Sequence, residues 1–380
     1  MVPGAPNRRS PTVRTVRPAN RPGTAPRPGV SGAATGSPGA ARATAATPPS
    51  TALATDLLGG RPVALEVDLG RGLVLQNPVI AASGAMGYGV EVVDLVDLER
   101  LGALVTRGTT TRARSGHPGP RTADVPAGLL LGVGLQNPGL ETVLERYAPT
   151  WARWTVPIVV SLGGESTGDF VELARRLEGA SGVAGIELNL SCANGARNGT
   201  AFGLDEGATG SLVAAVRRAT DLPVIVKLTP AAADVRAIAR AAEEAGADAI
   251  SAINTVPGLA LDGERGGAAL GSGYGGLSGP AIRPIALRVV WEVAQVVDIP
   301  VIGIGGVATL DDVLDLLAAG ASAVGVGVAA LADPMLPVRL ADELADACRA
   351  RGLASVAGLV GTALPARSAP PSTRGAEYAR

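Results

Sequence analysis

Eight short apolar runs, each of strand length, recur through the middle of this 380-residue chain. They are "VIAASG" (79–84), "ALVTRG" (103–108), "IVVSLGG" (158–164), "GIELNLSC" (185–192), "VIVKLTP" (224–230), "AISAINT" (249–255), "VIGIGG" (301–306) and "AVGVGVA" (323–329). Helical patterns such as "DVRAIARAAEEAG" and "LDDVLDLLAAG" separate them. Three runs are entered through a proline, in "VPIVV", "LPVIV" and "IPVIG", a residue tolerated at the first position of a strand. In "AGADAI" and "AGASAV" a glycine ends the preceding helix. Near-continuous apolar strands imply burial on both faces, as in a parallel sheet covered by helices. Eight regularly spaced βα units predict an α/β fold, a TIM (β/α)8 barrel, over a doubly wound open sheet. A barrel places its chemistry at the C-terminal strand ends.

The barrel is expected over residues 61–363. "LEVDLGRGLVLQNP" (65–78), with a Gly-Arg-Gly turn between alternating apolar residues, predicts an N-terminal β-hairpin. Residues 1–60 are rich in Pro, Ala, Arg and Gly, with no acid before Asp56. Such a segment cannot repay its ordering entropy and is expected to be disordered. Its composition can mimic a transit peptide, but a flexible tail or a start codon placed too early is the favoured reading. Residues 364–380 read as a second flexible tail. No apolar run approaches the roughly 20 residues that span a bilayer.

Net charge is −1, which gives no reason to expect a nucleic-acid partner. The two cysteines form neither a disulfide framework nor a zinc or iron–sulfur spacing, and a cytoplasmic protein is expected. One histidine, His117, leaves little room for a Ser-His-Asp triad or a metal site; it reads as a loop-packing residue. Aromatic residues make up only 2%, so a bound nucleotide or flavin would not be held mainly by stacking.

Polar residues cluster at the predicted strand ends: Ser83, Arg107, Ser161, Asn189, Cys192, Lys227, Asn254, Thr255 and the pair Gly305-Gly306. Burying them without partners is costly. "GIGG" (303–306) and "VGVG" (324–327) suit close approach of backbone N–H groups to a phosphate. Small-residue filling of the barrel is the blander reading. Lys227, among apolar neighbours, needs an anionic partner, either a ligand or a structural acid. Cys192 reads as a small buried hydrophobe or as an exposed thiol able to act as a base. Cys348, on a late helix, reads as structural. The long segment after the sixth strand reads as a lid over the barrel mouth, with Pro280 starting the next helix.

"NPVIAASGAMGYG", "GLQNPG", "ELNLSCANG", "GTAFG", "VKLTP", "INT", "GGLSGPAI", "IPVIGIGG" and "AGASAVGVG" together resemble dihydroorotate dehydrogenase, most closely the class 1B catalytic subunit. The likeness runs from about residue 65 to about residue 337. It implies a barrel with FMN at its C-terminal mouth and a role in pyrimidine synthesis. By resemblance, Cys192 is the base that takes the C5 proton of dihydroorotate while hydride passes from C6 to flavin N5. Ser83, Arg107, Gly108, Ser161, Asn189 and Lys227 fall on FMN-binding positions. So do Gly279, Gly305, Gly306, Gly327 and Val328. Arg107, Leu131, Gly132, Val133, Gly134 and Leu135 fall on substrate positions, with Asn189, Asn254 and Thr255. Class 2 relatives use a serine base and a membrane element. The resemblance further implies a partner subunit carrying FAD and a [2Fe–2S] cluster, in a homodimer or heterotetramer.

The chain departs from the family pattern. Arg107 replaces a lysine, Leu131 a substrate-contacting asparagine, Ser161 an asparagine, Val328 a threonine and Ala193 a proline. These changes leave a second reading, an FMN oxidoreductase acting on another cyclic amide or unsaturated acid. A third is a non-redox phosphate-binding barrel, a lyase or isomerase, with Lys227 as its Schiff-base lysine. A fourth is a catalytically dead flavin-binding protein.

Overall fold

The computed structural model describes residues 62–195, 200–264 and 266–365. The expected tail at 1–60, and all but the first two residues of the one at 364–380, lie outside them.

All eight runs form strands: β1 Val79–Ala81, β2 Ala103–Val105, β3 Ile158–Leu162, β4 Gly185–Asn189, β5 Val224–Lys227, β6 Ala249–Ala252, β7 Val301–Ile304 and β8 Ala323–Val326. They pair in parallel, in chain order, and close into a barrel through β8 against β1. The strand-entry prolines fit because only their carbonyls are needed. Pro157, Pro223 and Pro300 accept from the N–H groups of Leu104, Ile186 and Ile250 on the neighbouring strands.

The main outer helices are α1 Thr167–Leu177, α2 Glu206–Arg217, α3 Val235–Glu244, α4 Arg283–Ala294, α5 Leu310–Ala318 and α6 Leu336–Ala350. Ser166 with Asp169, and Thr309 with Asp312, form capping boxes that satisfy the first N–H groups of α1 and α5. Gly246 and Gly320 close α3 and α5 at φ +99° and +109°. An added Cβ at Gly320 would also lie 2.4 Å from Ala294 Cβ. Gly320→Ala is therefore expected to destabilise the barrel by about 1–3 kcal/mol, read as a lowered melting temperature. The core consists mainly of Val, Leu, Ile and Ala from both layers.

The hairpin pairs Val67–Asp68 with Val74–Leu75 around Gly70-Arg71-Gly72, all three at positive φ. Arg71 bonds Asp248 at 3.0 Å, just before β6, and Asp248 also accepts from Arg217 and from the Val224 N–H. The hairpin thus packs at the N-terminal end of the barrel.

At the opposite end, the segment after β2 contributes Thr122–Val125 and Gly128–Leu131. The segment after β6 contributes Val256–Gly258 and Gly275–Ser278. These four short strands make one antiparallel sheet, with Gly128–Leu131 inside it. The segment read as a lid is thus half of a hydrogen-bonded roof. Pro280 opens a short turn leading into α4.

Candidate active site

A cavity of about 460 Å³ lies under this roof at the C-terminal mouth of the barrel. Six of the eight strand ends reach it: Ser83 and Gly84 after β1, Arg107 and Gly108 after β2, Lys227 on β5, Asn254 and Thr255 after β6, Gly305 and Gly306 after β7, and Gly327 and Val328 after β8. The roof strands add Leu131, Thr122 and Ser278, and the segments flanking them add Val133, Leu135 and Gly279. The Ser83 hydroxyl donates to the Thr106 carbonyl at 2.8 Å. Gly305 and Gly306 sit at φ +137° and +78°, which suits glycine at this bend. At Gly84 and Gly327 an added Cβ would meet nothing within 4 Å, so the backbone there faces open space.

Among the described residues, the only charged side chains lining this cavity are Arg107 and Lys227. The cavity is therefore cationic and suited to an anionic ligand. Lys227 also has a protein partner. Its ammonium lies 3.6 Å from Glu187, and the two side chains are 7% and 1% exposed. Glu187 further accepts from Ser161 Oγ at 3.1 Å and Ser251 Oγ at 2.9 Å. Ser161, expected at the flavin, instead spends its hydroxyl on this buried carboxylate, because the inward faces of β3 and β4 meet there in register. Sequence reasoning missed Glu187 as the partner. The available signal was its spacing of two residues from Asn189 on one strand, which puts both on the same face.

Cys192 lines a separate cavity of about 250 Å³ with Arg114, His117, Gly134, Leu135, Gly164, Glu165, Asn189 and Ser191. Among the described residues, only Leu135 borders both cavities, so it forms a shared wall. Asn254 ties the two sides together, donating to Asn189 Oδ1 at 2.9 Å and Ser191 Oγ at 3.0 Å. Of the two readings of Cys192, the exposed thiol is corrected and the buried one holds for its exposure. Cys192 is 7% exposed, and burial pushes its thiol up to about 11, against a lowering by a Gly164 backbone hydrogen bond and by the Arg114 charge. His117 is exposed and packs its ring against Gly134, where a Cβ would lie 2.6 Å from it. Gly132 approaches Ser272 Oγ rather than either cavity. Cys348 is fully buried on α6.

The family model for dihydroorotate dehydrogenase matches residues 65–348. The chain belongs to the dihydroorotate dehydrogenase family. A relative from Desulforudis audaxviator (strain MP104C) is 46% identical over 292 residues, covering 77% of this chain and 95% of the relative. One from Porphyromonas gingivalis (strain ATCC BAA-308 / W83) is 44% identical over 300 residues, covering 79% and 98%. Both are named dihydroorotate dehydrogenase B (NAD(+)), catalytic subunit. The expected dihydroorotate dehydrogenase motifs thus fall into two linked chambers, one cationic and one holding the thiol. Membership of this oxidoreductase family displaces the non-redox lyase or isomerase reading. Among the described residues no helix is long and apolar enough to cross a membrane.

Proposed function

We propose that the protein is the catalytic subunit of an FMN-dependent dihydroorotate dehydrogenase that oxidises dihydroorotate to orotate for pyrimidine synthesis. The observation that carries this reading is the cationic cavity at the barrel mouth, with the Cys192 chamber against it. The residues present fit FMN. Open backbone at Gly84 and Gly327, with Gly305 and Gly306 beside it, leaves room for a phosphate and a flat ring system. The volume lies within the ordinary range of small-molecule sites, roughly 300–1,000 Å³. When bound, FMN supplies a two-electron acceptor for the hydride from substrate C6.

The chain's own residues do the rest. Lys227, held by Glu187, presents positive charge to the cavity without ligand present. Arg107 brings a planar guanidinium suited to a carboxylate. Asn254 donates both amide N–H groups to Asn189 and Ser191, so its Oδ1, which also accepts from the Thr255 N–H, is the atom left to accept from the substrate. Cys192, as thiolate, takes the C5 proton. The roof excludes water from the reacting face.

The names of the relatives support a separate partner subunit, here one carrying FAD and a [2Fe–2S] cluster and passing electrons to NAD, in a cytoplasmic heterotetramer or around a homodimer. Leu131 favours one second reading, since it lines the cavity and offers no hydrogen bond where a polar substrate edge would lie. The substrate would then be a related cyclic amide or unsaturated acid.

Anaerobic mixing of the yellow protein with dihydroorotate tests both. Bleaching of the flavin absorbance within seconds is expected. A flavin that stays oxidised with dihydroorotate but bleaches with a chemical reductant would overturn the assignment in favour of the second reading or a dead paralogue.

A further inference from the structure

Among the described residues, three charged or titratable side chains besides Cys192 surround the thiol chamber, and the proposed reaction uses none of them. Arg114 and His117 come from the segment after β2, and Glu165 from the segment after β3. Arg114 and Glu165 form an ion pair at 2.9 Å, with side chains 42% and 66% exposed. Their backbones are fixed. Arg114 exchanges hydrogen bonds with Asn137 at 2.9 and 3.1 Å. The Glu165 carbonyl accepts from the Gly195 N–H at 2.7 Å, and its own N–H donates to Asp169 at 2.9 Å. The thiol's backbone is held too, by Cys192 N–H to the Asn189 carbonyl and Phe202 N–H to the Cys192 carbonyl, both at 3.2 Å. A buried thiol, a guanidinium and a carboxylate therefore share one small solvent-facing chamber behind the Leu135 wall.

A thiolate is needed to remove a proton, and burial opposes it. The cations of the large cavity, Arg107 and Lys227, lie on the other side of Leu135. Among the described residues, the charges that share a chamber with Cys192 are those of Arg114 and Glu165, with the His117 ring at its rim. They act on the thiol in opposite senses: Arg114 favours the thiolate, Glu165 disfavours it.

We propose that Arg114 is a positioning residue that charges the Cys192 base, that Glu165 restrains it through their ion pair, and that this chamber is where the proton taken up by sulfur leaves for solvent. The proposal rests on Cys192 being the base. The balance is simple. The substrate C5–H bond breaks, its proton forms S–H, and that proton is lost to solvent in the chamber, restoring the thiolate. Arg114 supplies charge and takes no proton.

The test is the pH profile of Cys192 alkylation by iodoacetamide in the flavin-loaded protein, with Cys348 as the buried control. Peptide mass spectrometry follows both cysteines. Arg114→Gln is expected to move the Cys192 midpoint up, and Glu165→Gln to move it down, each by roughly half a unit to one unit for a solvent-screened charge. Arg114→Lys should restore most of the wild-type profile. The differences should shrink at about 1 M salt, which a purely structural effect would not do. The two glutamine variants shifting in the same direction, or not at all, would overturn the proposal. Failure of the base assignment reads differently: Cys192→Ala would then reduce its flavin at the wild-type rate, while the alkylation profile still reports on the two charges.

Discussion

Replacing Cys192 with alanine is expected to slow flavin reduction by dihydroorotate by roughly 100-fold or more, the scale of a lost general base. The flavin should remain bound at full occupancy. The two effects separate because Cys192 lines the smaller, adjoining chamber and is not among the described residues that line the cationic cavity. Rapid-mixing absorbance and the flavin-to-protein ratio read the two quantities independently. The pH dependence follows from burial, which raises the thiol to about 11 and keeps it protonated near neutrality. A base held largely in its acid form gains activity as pH rises. The wild-type reduction rate should therefore still be climbing at about pH 8, with a slope that Cys192→Ala abolishes. A rate independent of pH in the wild type would count against the thiol.

The second large effect belongs to Glu187. Its carboxylate is the structural partner of Lys227 and the acceptor for Ser161 and Ser251. Glu187→Leu strands a buried ammonium and two hydroxyls. It is expected to lower stability by about 3–5 kcal/mol, visible as a fall in melting temperature of the flavin-free protein. The double variant Glu187→Leu with Lys227→Met removes both charges and should regain most of that loss. It should nevertheless bind flavin poorly, because the floor of the cavity loses its cation. Recovery of stability without recovery of flavin would separate the two roles of Lys227. If the double variant is as unstable as the single one, the ion pair is not what Glu187 contributes.

The barrel was legible because eight apolar runs repeat with few exceptions, and the glycines and prolines that punctuate them act locally. The strand-end residues were legible for the same reason: once the strands are placed, Ser83, Lys227, Asn254 and Gly305 can only fall at the mouth. The hidden parts depend on pairings between distant segments. Nothing local says that Ser161 and Ser251 would converge on Glu187 from two other strands. Nor does the sequence say that residues 134 and 135 would share a chamber with Cys192, or that this thiol would be buried. Arg114 and Glu165 lie 51 positions apart, and their meeting is a property of the folded mouth.

The roof sheet has a consequence for how such a site changes over generations. Leu131 lies on an inner strand, in register with Thr122 on one side and Gly276 on the other, while lining the large cavity. Main-chain hydrogen bonds of the sheet hold that strand whatever side chain is carried there. If Leu131 meets the substrate as proposed, a new substrate could be tried by exchanging this single residue, with no loop rebuilt and no register shifted. On that proposal, selectivity would behave like an interchangeable key in a fixed frame.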